Sequence, residues 1–330
     1  MTESKTITES KTITESKTIT ELKTITESKT ITELDEELNP KIIRHIVMSG
    51  GIIYGLSFYG ALKRLHEQRV WKHENIKTIY ATSAGTLIGV VIALNIDWDV
   101  LDTYLIHRPW EQVFKLSMHS FLNAYSNCGI LSIDTIEETL RPLFLSKDIS
   151  PTISLQEFYY RFDIEIHFMT VQLDNFELVD VSYKTHPYWT VVEAVYASSC
   201  APIFFKPFMK NGKIFTDGGI LSNYPLQQCM YNVEPDEGVL GICVNNISIG
   251  EKSNADFNSE IGENLYEYLQ HIVKNLCRRA NKALLRSKPT IEVIVPTTIV
   301  PIHDLYSFAN SVDVRKRLIE HGGECCGCDK

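Results

Sequence analysis

The chain has 330 residues, of which 44% are hydrophobic and 22% charged, a globular balance with material for one large core or two small ones. Its formal net charge is −9, and because no basic cluster is present we expect no nucleic-acid partner. The longest apolar run, residues 84–94, is shorter than the roughly 20 residues that span a bilayer, and no basic-then-apolar start indicates secretion. We therefore expect no signal peptide or transmembrane helix, and an intracellular protein that is cytoplasmic or bound peripherally to membranes.

The first 40 residues repeat the hexapeptide TESKTI and differ in composition from the rest of the chain. Copies begin at Thr2, Thr8 and Thr14, and a last partial copy runs into Pro40. Each copy offers one Ile among Glu, Lys, Ser and Thr, which is too little apolar surface to offset the entropy lost on ordering the chain. Residues 1–40 are therefore predicted to form a disordered repeat tail.

Two strand–turn–helix units follow the tail. Residues 42–48 predict a buried strand, which is followed by a glycine turn over 49–55 and an amphipathic helix over 56–68. Residues 76–81 predict a second strand, which runs into Ser83 and an apolar helix. Two such units in about 50 residues indicate parallel strands that are joined by crossover helices.

The elements further along the chain complete an α/β pattern. Residues 133–145 predict a helix, with Asp134 and Glu137 at capping-box spacing. A hairpin is predicted over 164–173 and 176–182, around an Asp-Asn turn. Two more apolar, β-branched strands are expected at 238–246 and 290–296, with a long amphipathic helix over 261–280 between them.

No linker rich in Pro, Gly or Ser divides the chain after the tail. We therefore predict a single α/β domain over residues 41–323, with a mixed, largely parallel sheet and flanking helices in three layers. Residues 324–330 are expected to form a Cys-rich tail. Its cysteines Cys325, Cys326 and Cys328 lack an evident fourth ligand other than His321, so we expect an oxidisable tail rather than a metal site.

Ser83 lies in the segment IYATSAGTLIG, residues 79–89, between an apolar strand and an apolar helix. A nucleophilic serine at a sharp strand-to-helix turn requires small neighbours, and Ala81, Ala84 and Gly85 meet that requirement. A simple helix N-cap is the alternative interpretation of the same residue. The local segment alone does not decide between the two.

Three other stretches bear on that choice, namely MSGGIIYG at 48–55, ASSCAPIFFKP at 197–207 and TDGGILSNYP at 216–225. With the Ser83 segment they stand in the order of the motifs of the patatin-like phospholipase family, and the chain resembles that family from about residue 43 to residue 225. Ser83 falls in the family's nucleophile elbow, and Asp217 falls in its D-G-G motif.

The resemblance implies a lipid acyl hydrolase of the phospholipase A or esterase type, which cleaves carboxylic esters through a Ser-Asp dyad and a covalent acyl-enzyme. Ser83 would be the nucleophile and Asp217 the general base, with no metal and no other cofactor. The expected substrate is a phospholipid or an acylglycerol, presented at a membrane surface. The oxyanion loop would comprise Gly50, Gly51 and Ile52. The positions that support the motifs are Gly55, Gly85, Pro202, Gly218 and Gly219.

The chain departs from the family pattern at three positions. Ile52 replaces the third glycine of the oxyanion loop, Tyr54 replaces a basic residue, and Ala81 replaces the first glycine of the elbow. A β-branched residue resists a positive φ and narrows the approach to the loop. These departures leave a catalytically weak or inactive lipid-binding protein as one alternative. The other is a Ser-His-Asp hydrolase, in which His271 or His303, both C-terminal of Asp217, serves as the base.

Overall fold

The computed structural model describes residues 41–116, 128–244, 287–297 and 302–327, together with positions 272, 275 and 279–281. The chain divides into two units, residues 1–42 and 43–330, and the fold below is that of the second. Several predictions fall outside the described residues: the repeat tail, most of the helix over 261–280, Cys328, His271 and the side chain of His303.

The described elements alternate between strand and helix along most of the chain. The strands are β1 Ile42–Met48, β2 Thr78–Thr82, β3 Gly129–Leu131, β4 Glu165–Gln172, β5 Glu177–Val181, β6 Ile203–Phe205, β7 Phe208–Lys210, β8 Lys213–Asp217, β9 Glu237–Val244 and β10 Ile291–Val295. The helices are α1 Gly55–Glu67, α2 Ala84–Ala93, α3 Trp98–His107, α4 Trp110–Phe114, α5 Ile133–Leu145, α6 Leu155–Phe162, α7 Val191–Ser199, α8 Gly219–Ser222, α9 Leu226–Met230, α10 Ile302–Asn310 and α11 Val312–Glu324.

Among the described residues, the central sheet has eight strands in the order β10-β9-β1-β2-β4-β8-β7, with β5 also paired to β4. The pairs β1–β2, β2–β4 and β9–β10 are parallel, whereas β5, β7 and β8 form antiparallel pairs at one end. Short β3 and β6 make a separate parallel pair. The predicted mixed, largely parallel α/β fold is therefore confirmed.

Strand β4 is long enough to receive two strands along one edge. Its first half pairs with β2, up to Thr82 opposite Met169, and its second half pairs with β8, from Asp217 opposite Thr170. Strand β5 pairs with the same second half and so occupies the other edge. Since β2 runs parallel to β4 and β8 runs antiparallel, their carboxyl ends meet at neighbouring positions of β4. The residues that follow β2 and end β8 are thus brought together by strand register.

Most elements lie where the sequence predicts them. Strand β1 and helix α5 have the predicted bounds, and the first two crossover helices, α1 and α2, lie within one residue of theirs. The β4–β5 hairpin is antiparallel, as predicted. Apolar spacing is a strong signal here because these elements are buried on the core side or on all sides.

The predicted capping box at Asp134 and Glu137 is wrong. Helix α5 begins at Ile133, with Ser132 as its N-cap, so Asp134 lies inside the first turn, where it accepts a hydrogen bond from Ser132 Oγ. Glu137 instead pairs with Arg141 on the helix surface. The spacing of Asp134 and Glu137 equals that of a capping box, but the coincidence carries no meaning here because the true N-cap, Ser132, lies two residues before Asp134.

The last described helix belongs to the folded core. Helix α11 packs so closely on α1 that a Cβ at Gly322 would meet the Ser57 carbonyl, and Ser57 Oγ donates to Leu318 O at 2.7 Å. Cys325 and Cys326 beyond it are half-buried against the core. In the part of the chain that the structure describes, no helix has the length and hydrophobicity needed to cross a bilayer.

Candidate active site

Ser83 occupies a sharp turn between β2, which ends at Thr82, and α2, which begins at Ala84. Its backbone has φ 52° and ψ −125°, a conformation that is uncommon for a residue with a side chain and costs about 1–3 kcal/mol. Tight packing behind the turn explains the small neighbours, since a Cβ at Gly85 would lie 2.7 Å from the Ser49 carbonyl oxygen. The turn therefore matches the strained elbow that the sequence predicts, and Ser83 makes no side-chain cap to α2.

Hydrogen bonds to the backbone N–H and carbonyl of Ser83 hold the strained elbow in place. The Ser83 N–H donates to Ser198 Oγ at 3.0 Å, and Ser198 Oγ in turn donates to the Met169 carbonyl at 2.5 Å. The Ser83 carbonyl accepts from Thr86 N–H at 2.9 Å and from Thr86 Oγ1 at 2.6 Å. Ser198 is fully buried on α7. Its place in the segment ASSCAPIFFKP, residues 197–207, is the signal of this role in the sequence.

Asp217 is the last residue of β8, and its carboxylate lies close enough to the Ser83 side chain for that side chain to lower its pKa. Its Oδ1 also accepts from the Gly219 N–H at 2.7 Å. The next residue, Gly218, is confined by the sheet, because a Cβ there would overlap the Met169 carbonyl. The structure thus brings together the two side chains that the sequence selected, over a separation of 134 positions.

Burial dominates the electrostatics of Asp217, which is 6% exposed. Loss of water raises its pKa from an ordinary 3.8 to about 6, although the Ser83 side chain and the hydrogen bond from the Gly219 N–H act in the opposite direction. The carboxylate is consequently ionised at neutral pH and yet a stronger base than an exposed aspartate. A group with these properties can accept a proton from a serine hydroxyl.

The glycine loop after β1 packs directly against the elbow. A Cβ at Gly50 would lie 3.1 Å from Ser83 Cβ and would overlap Asn223 Oδ1. The Gly50 N–H donates to the Asn223 carbonyl at 3.0 Å, so the expectation that this N–H faces an oxyanion is not met. Gly50 instead contributes by its lack of a side chain, and the Asn223 side chain donates weakly back to the Gly50 carbonyl at 3.4 Å.

The amides of Gly51 and Ile52 lie at the start of a 3₁₀ turn, Ile52–Tyr54, that runs into α1 at Gly55. Neither N–H has a hydrogen-bond partner among the residues that the structure describes. Free amides at the start of a helix attract negative charge. Ile52 has φ 51°, the left-handed region that favours glycine, and its side chain is 46% exposed. Ile52 thus has the positive φ that a β-branched residue is expected to resist, and the loop carries backbone strain at this residue.

The remaining motif positions surround this arrangement. Gly55 starts α1 and approaches Ala84, since a Cβ at Gly55 would lie 3.3 Å from Ala84 Cβ. Gly219 begins α8. Pro202 is exposed in the turn between α7 and β6, where it shapes the chain after the motif rather than the site itself.

The described residues offer Ser83 and Asp217 no histidine partner. The hydrogen bonds between histidines and other side chains among these residues join His45 to Glu237 and Thr78, His167 to Asp180, and His186 to Thr185, and none of them involves Ser83 or Asp217. Across the described residues, no group of three or more His, Cys, Asp or Glu side chains is placed to hold a metal ion. The two candidate bases of the three-residue alternative, His271 and the side chain of His303, lie outside the described residues.

Comparison with known proteins adds independent information. A family model for patatin-like phospholipase matches residues 46–230. The protein named uncharacterized protein R571, from Acanthamoeba polyphaga mimivirus, is 22% identical over 292 residues, which cover 88% of this chain and 93% of that protein. The protein named probable lipid hydrolase 463L, from invertebrate iridescent virus 6, is 23% identical over 191 residues; these cover 57% of this chain and 64% of that protein.

Solved structures similar to the chain include VipD from Legionella pneumophila, with a TM-score of 0.42 and 15% identity over 84% of this chain and 67% of that one. Full-length ExoU of Pseudomonas aeruginosa, solved with SpcU, gives a TM-score of 0.38 and 14% identity over 88% of this chain and 54% of that one. The family model spans more than half of the chain and contains the glycine loop, Ser83 and Asp217. The chain belongs to the patatin-like phospholipase family and so, in general class, to the lipid hydrolases.

Proposed function

We propose that the protein is a serine-dependent lipid acyl hydrolase in which Ser83 is the nucleophile and Asp217 the general base. The observation that carries this proposal is the proximity of Ser83, on its strained elbow, to a buried carboxylate whose pKa is raised to about 6 by burial and lowered in part by the Ser83 side chain. An N-cap serine needs neither feature. Burial that raises the proton affinity of a carboxylate is the condition under which a single aspartate can activate a serine.

The reaction divides into two similar halves. Ser83 Oγ attacks the ester carbonyl carbon while Asp217 takes the hydroxyl proton, which forms a tetrahedral oxyanion. Collapse breaks the ester C–O bond, and Asp217 returns the proton to the leaving alcohol, which leaves an acyl group on Ser83. Water then attacks the acyl-enzyme with Asp217 again as base, releases the fatty acid and regenerates the serine.

The oxyanion in both halves would be bound by the amides of Gly51 and Ile52. These N–H groups have no partner among the described residues, and α1 behind them contributes the positive end of its dipole. Removal of one good donor from such a site costs roughly 10²–10³-fold in rate. Gly50 is not part of this pair, because its N–H already bonds to Asn223.

The proposed substrate is a phospholipid or acylglycerol ester at a membrane surface. Support comes from the family itself and from the viral relative that is named a lipid hydrolase. Hydrolysis should then be faster when the lipid is presented as micelles or vesicles than when the same ester is dispersed as monomers. Equal rates in the two presentations would contradict a site adapted to packed lipid.

Labelling by a fluorophosphonate, followed by peptide mass spectrometry, tests the nucleophile. The probe should attach at Ser83, and Ser83→Ala should lose both labelling and ester hydrolysis by about 10⁴-fold or more. Ser150→Ala, at an exposed serine, is the matched control and should retain both. Hydrolysis that survives in a folded Ser83→Ala variant would refute the proposal.

The strain at Ile52 favours a second candidate, a protein that binds lipid but turns it over slowly or not at all. A non-glycine residue at φ 51° at the oxyanion loop fits a hole that is imperfectly formed. Vesicle binding without probe labelling would support this candidate.

For the three-residue alternative, His271→Gln and His303→Gln should each leave the rate of hydrolysis within a few-fold, whereas loss of a true triad member costs about 10⁴-fold.

A further inference from the structure

Asn281 joins the two backbone segments that carry the site, although it lies beyond the residues matched by the family model. It has a helical backbone and is 8% exposed. Its Oδ1 accepts from the Asn223 N–H at 2.5 Å, and its Nδ2 donates to the Gly219 carbonyl at 3.1 Å. One buried amide thus bonds to both flanks of the short helix α8, Gly219–Ser222.

Each of these two partners bonds directly to a part of the site. The Gly219 N–H donates to Asp217 Oδ1 at 2.7 Å, and the Asn223 carbonyl accepts the Gly50 N–H at 3.0 Å. The general base and the glycine loop are therefore linked through the two residues whose backbone Asn281 holds. Two hydrogen bonds from one rigid planar group fix a separation, which neither bond alone would do.

We propose that Asn281 is a positioning residue, which sets the placement of Asp217 relative to the oxyanion loop. This role rests on the proposed function, because it acts through the proposed base. The amide is well suited to the task, since it supplies a donor and an acceptor at once. An aspartate would keep the acceptor but lose the donor to Gly219, and a leucine of similar size would lose both.

The test compares three variants of the full chain: Asn281→Leu, Asn281→Asp and Asn310→Leu. Asn310 is an exposed helical asparagine whose Nδ2 donates to the Tyr306 carbonyl of its own helix, so its variant controls for the substitution itself. The measured quantities are kcat and KM for a short-chain ester, the rate of fluorophosphonate labelling of Ser83, and the thermal unfolding midpoint. The short-chain ester keeps lipid binding out of the comparison.

We expect Asn281→Leu to lower kcat by roughly 10- to 100-fold, the effect of a displacement of about 1 Å in reacting groups, while KM stays within about threefold. The labelling rate should fall in parallel, because it depends on the same serine activation. Asn281→Asp should lie between wild type and Asn281→Leu, and it decides the question if the leucine variant does not fold. Asn310→Leu should match wild type.

A folded Asn281→Leu variant with kcat within threefold of wild type would overturn the positioning role, as would a loss that appears only as a rise in KM. These results leave the proposed function standing, because Ser83 is still labelled in the wild type. If instead the wild type is not labelled at Ser83 and Ser83→Ala retains hydrolysis, the proposed function fails and the role of Asn281 fails with it.

Discussion

Substitution of Asp217 by Asn should stabilise the protein at alkaline pH while it abolishes hydrolysis. The carboxylate is 6% exposed, and burial raises its pKa to about 6 from an ordinary 3.8. A carboxyl group that binds its proton more tightly in the folded state stabilises the fold at low pH, and this contribution is lost as the pH rises through the folded pKa. At pH 8 the Asp217 carboxylate is ionised in both states, and its burial in the folded state lowers the free energy of unfolding.

The magnitude follows from the difference between the two pKa values. About two pKa units at 1.36 kcal/mol each give an upper bound near 3 kcal/mol at pH 8. Asparagine is neutral at every pH and avoids this cost. Its Oδ1 can still accept from the Gly219 N–H, and its Nδ2 can donate to Ser83 Oγ, so neither partner is left unsatisfied. At pH 4 the folded carboxyl group is almost fully protonated and the unfolded one roughly half protonated, so most of the difference should vanish.

Urea denaturation at pH 8 and at pH 4 measures the effect, provided that the m-values of the two proteins agree. Asp236→Asn, at an exposed aspartate, makes the same change of charge and should leave the unfolding free energy within about 0.5 kcal/mol at both pH values. A variant that is less stable than wild type at pH 8, or a gain that persists unchanged at pH 4, would refute the claim that the buried charge is the cause.

Three further outcomes are expected. The kcat/KM of the wild type should rise with pH to a plateau, with a midpoint near 6 set by the raised pKa of Asp217; a midpoint near 4 would contradict a buried base. Ile52→Gly should raise kcat/KM for a short-chain ester several-fold, because it removes a side chain from φ 51°, whereas Ile52→Ala, which keeps a Cβ, should gain less; a lower value for Ile52→Gly would show that the loop works best as it is. Burial alone would raise the pKa of Glu237, but hydrogen bonds and charge from Lys77 and His45 lower it to about 2, so Glu237→Gln should lower the melting temperature at pH 7, by an amount that fades as the pH falls from about 4.5 toward 2.

The fold was readable from the sequence because its signals are local. Strand β1, the glycine turn and helix α1 follow from apolar spacing and from small residues at the turn, and the elbow at Ser83 follows from the same reasoning. The S-x-x-E and T-x-x-E patterns at Ser154 and Thr190 were equally local, and both form true capping boxes. At α5 the same spacing from Asp134 to Glu137 misleads, because the helix begins after Ser132 and not after the acidic residue.

The contacts inside the site could not be derived from spacing alone. Asp217 lies near Ser83 because β8 pairs with the same edge of β4 as β2 does, immediately beyond the point where the β2 pairing ends. This depends on the register between strands that are distant in sequence. That the Gly50 N–H is taken by Asn223 depends on the same assembly. Asn281 carries no motif at all, and a single asparagine in an amphipathic segment gives no sign of its two backbone partners.

Part of the backbone strain in this structure lies where the chemistry is proposed. Ser83 and Ile52 both have side chains at positive φ, and Asp217 is a buried carboxylate with a raised pKa. Conformations of this kind persist only where the surroundings over-determine them, and here the close approach at Gly85 and the hydrogen bond from Ser83 to Ser198 do so. The site is thus kept in shape by contacts that themselves take no part in the reaction. It follows that substitutions which relax the elbow or neutralise the carboxylate should raise stability and lower activity together, whereas relief at Ile52, where only the oxyanion donors are strained, should not cost activity.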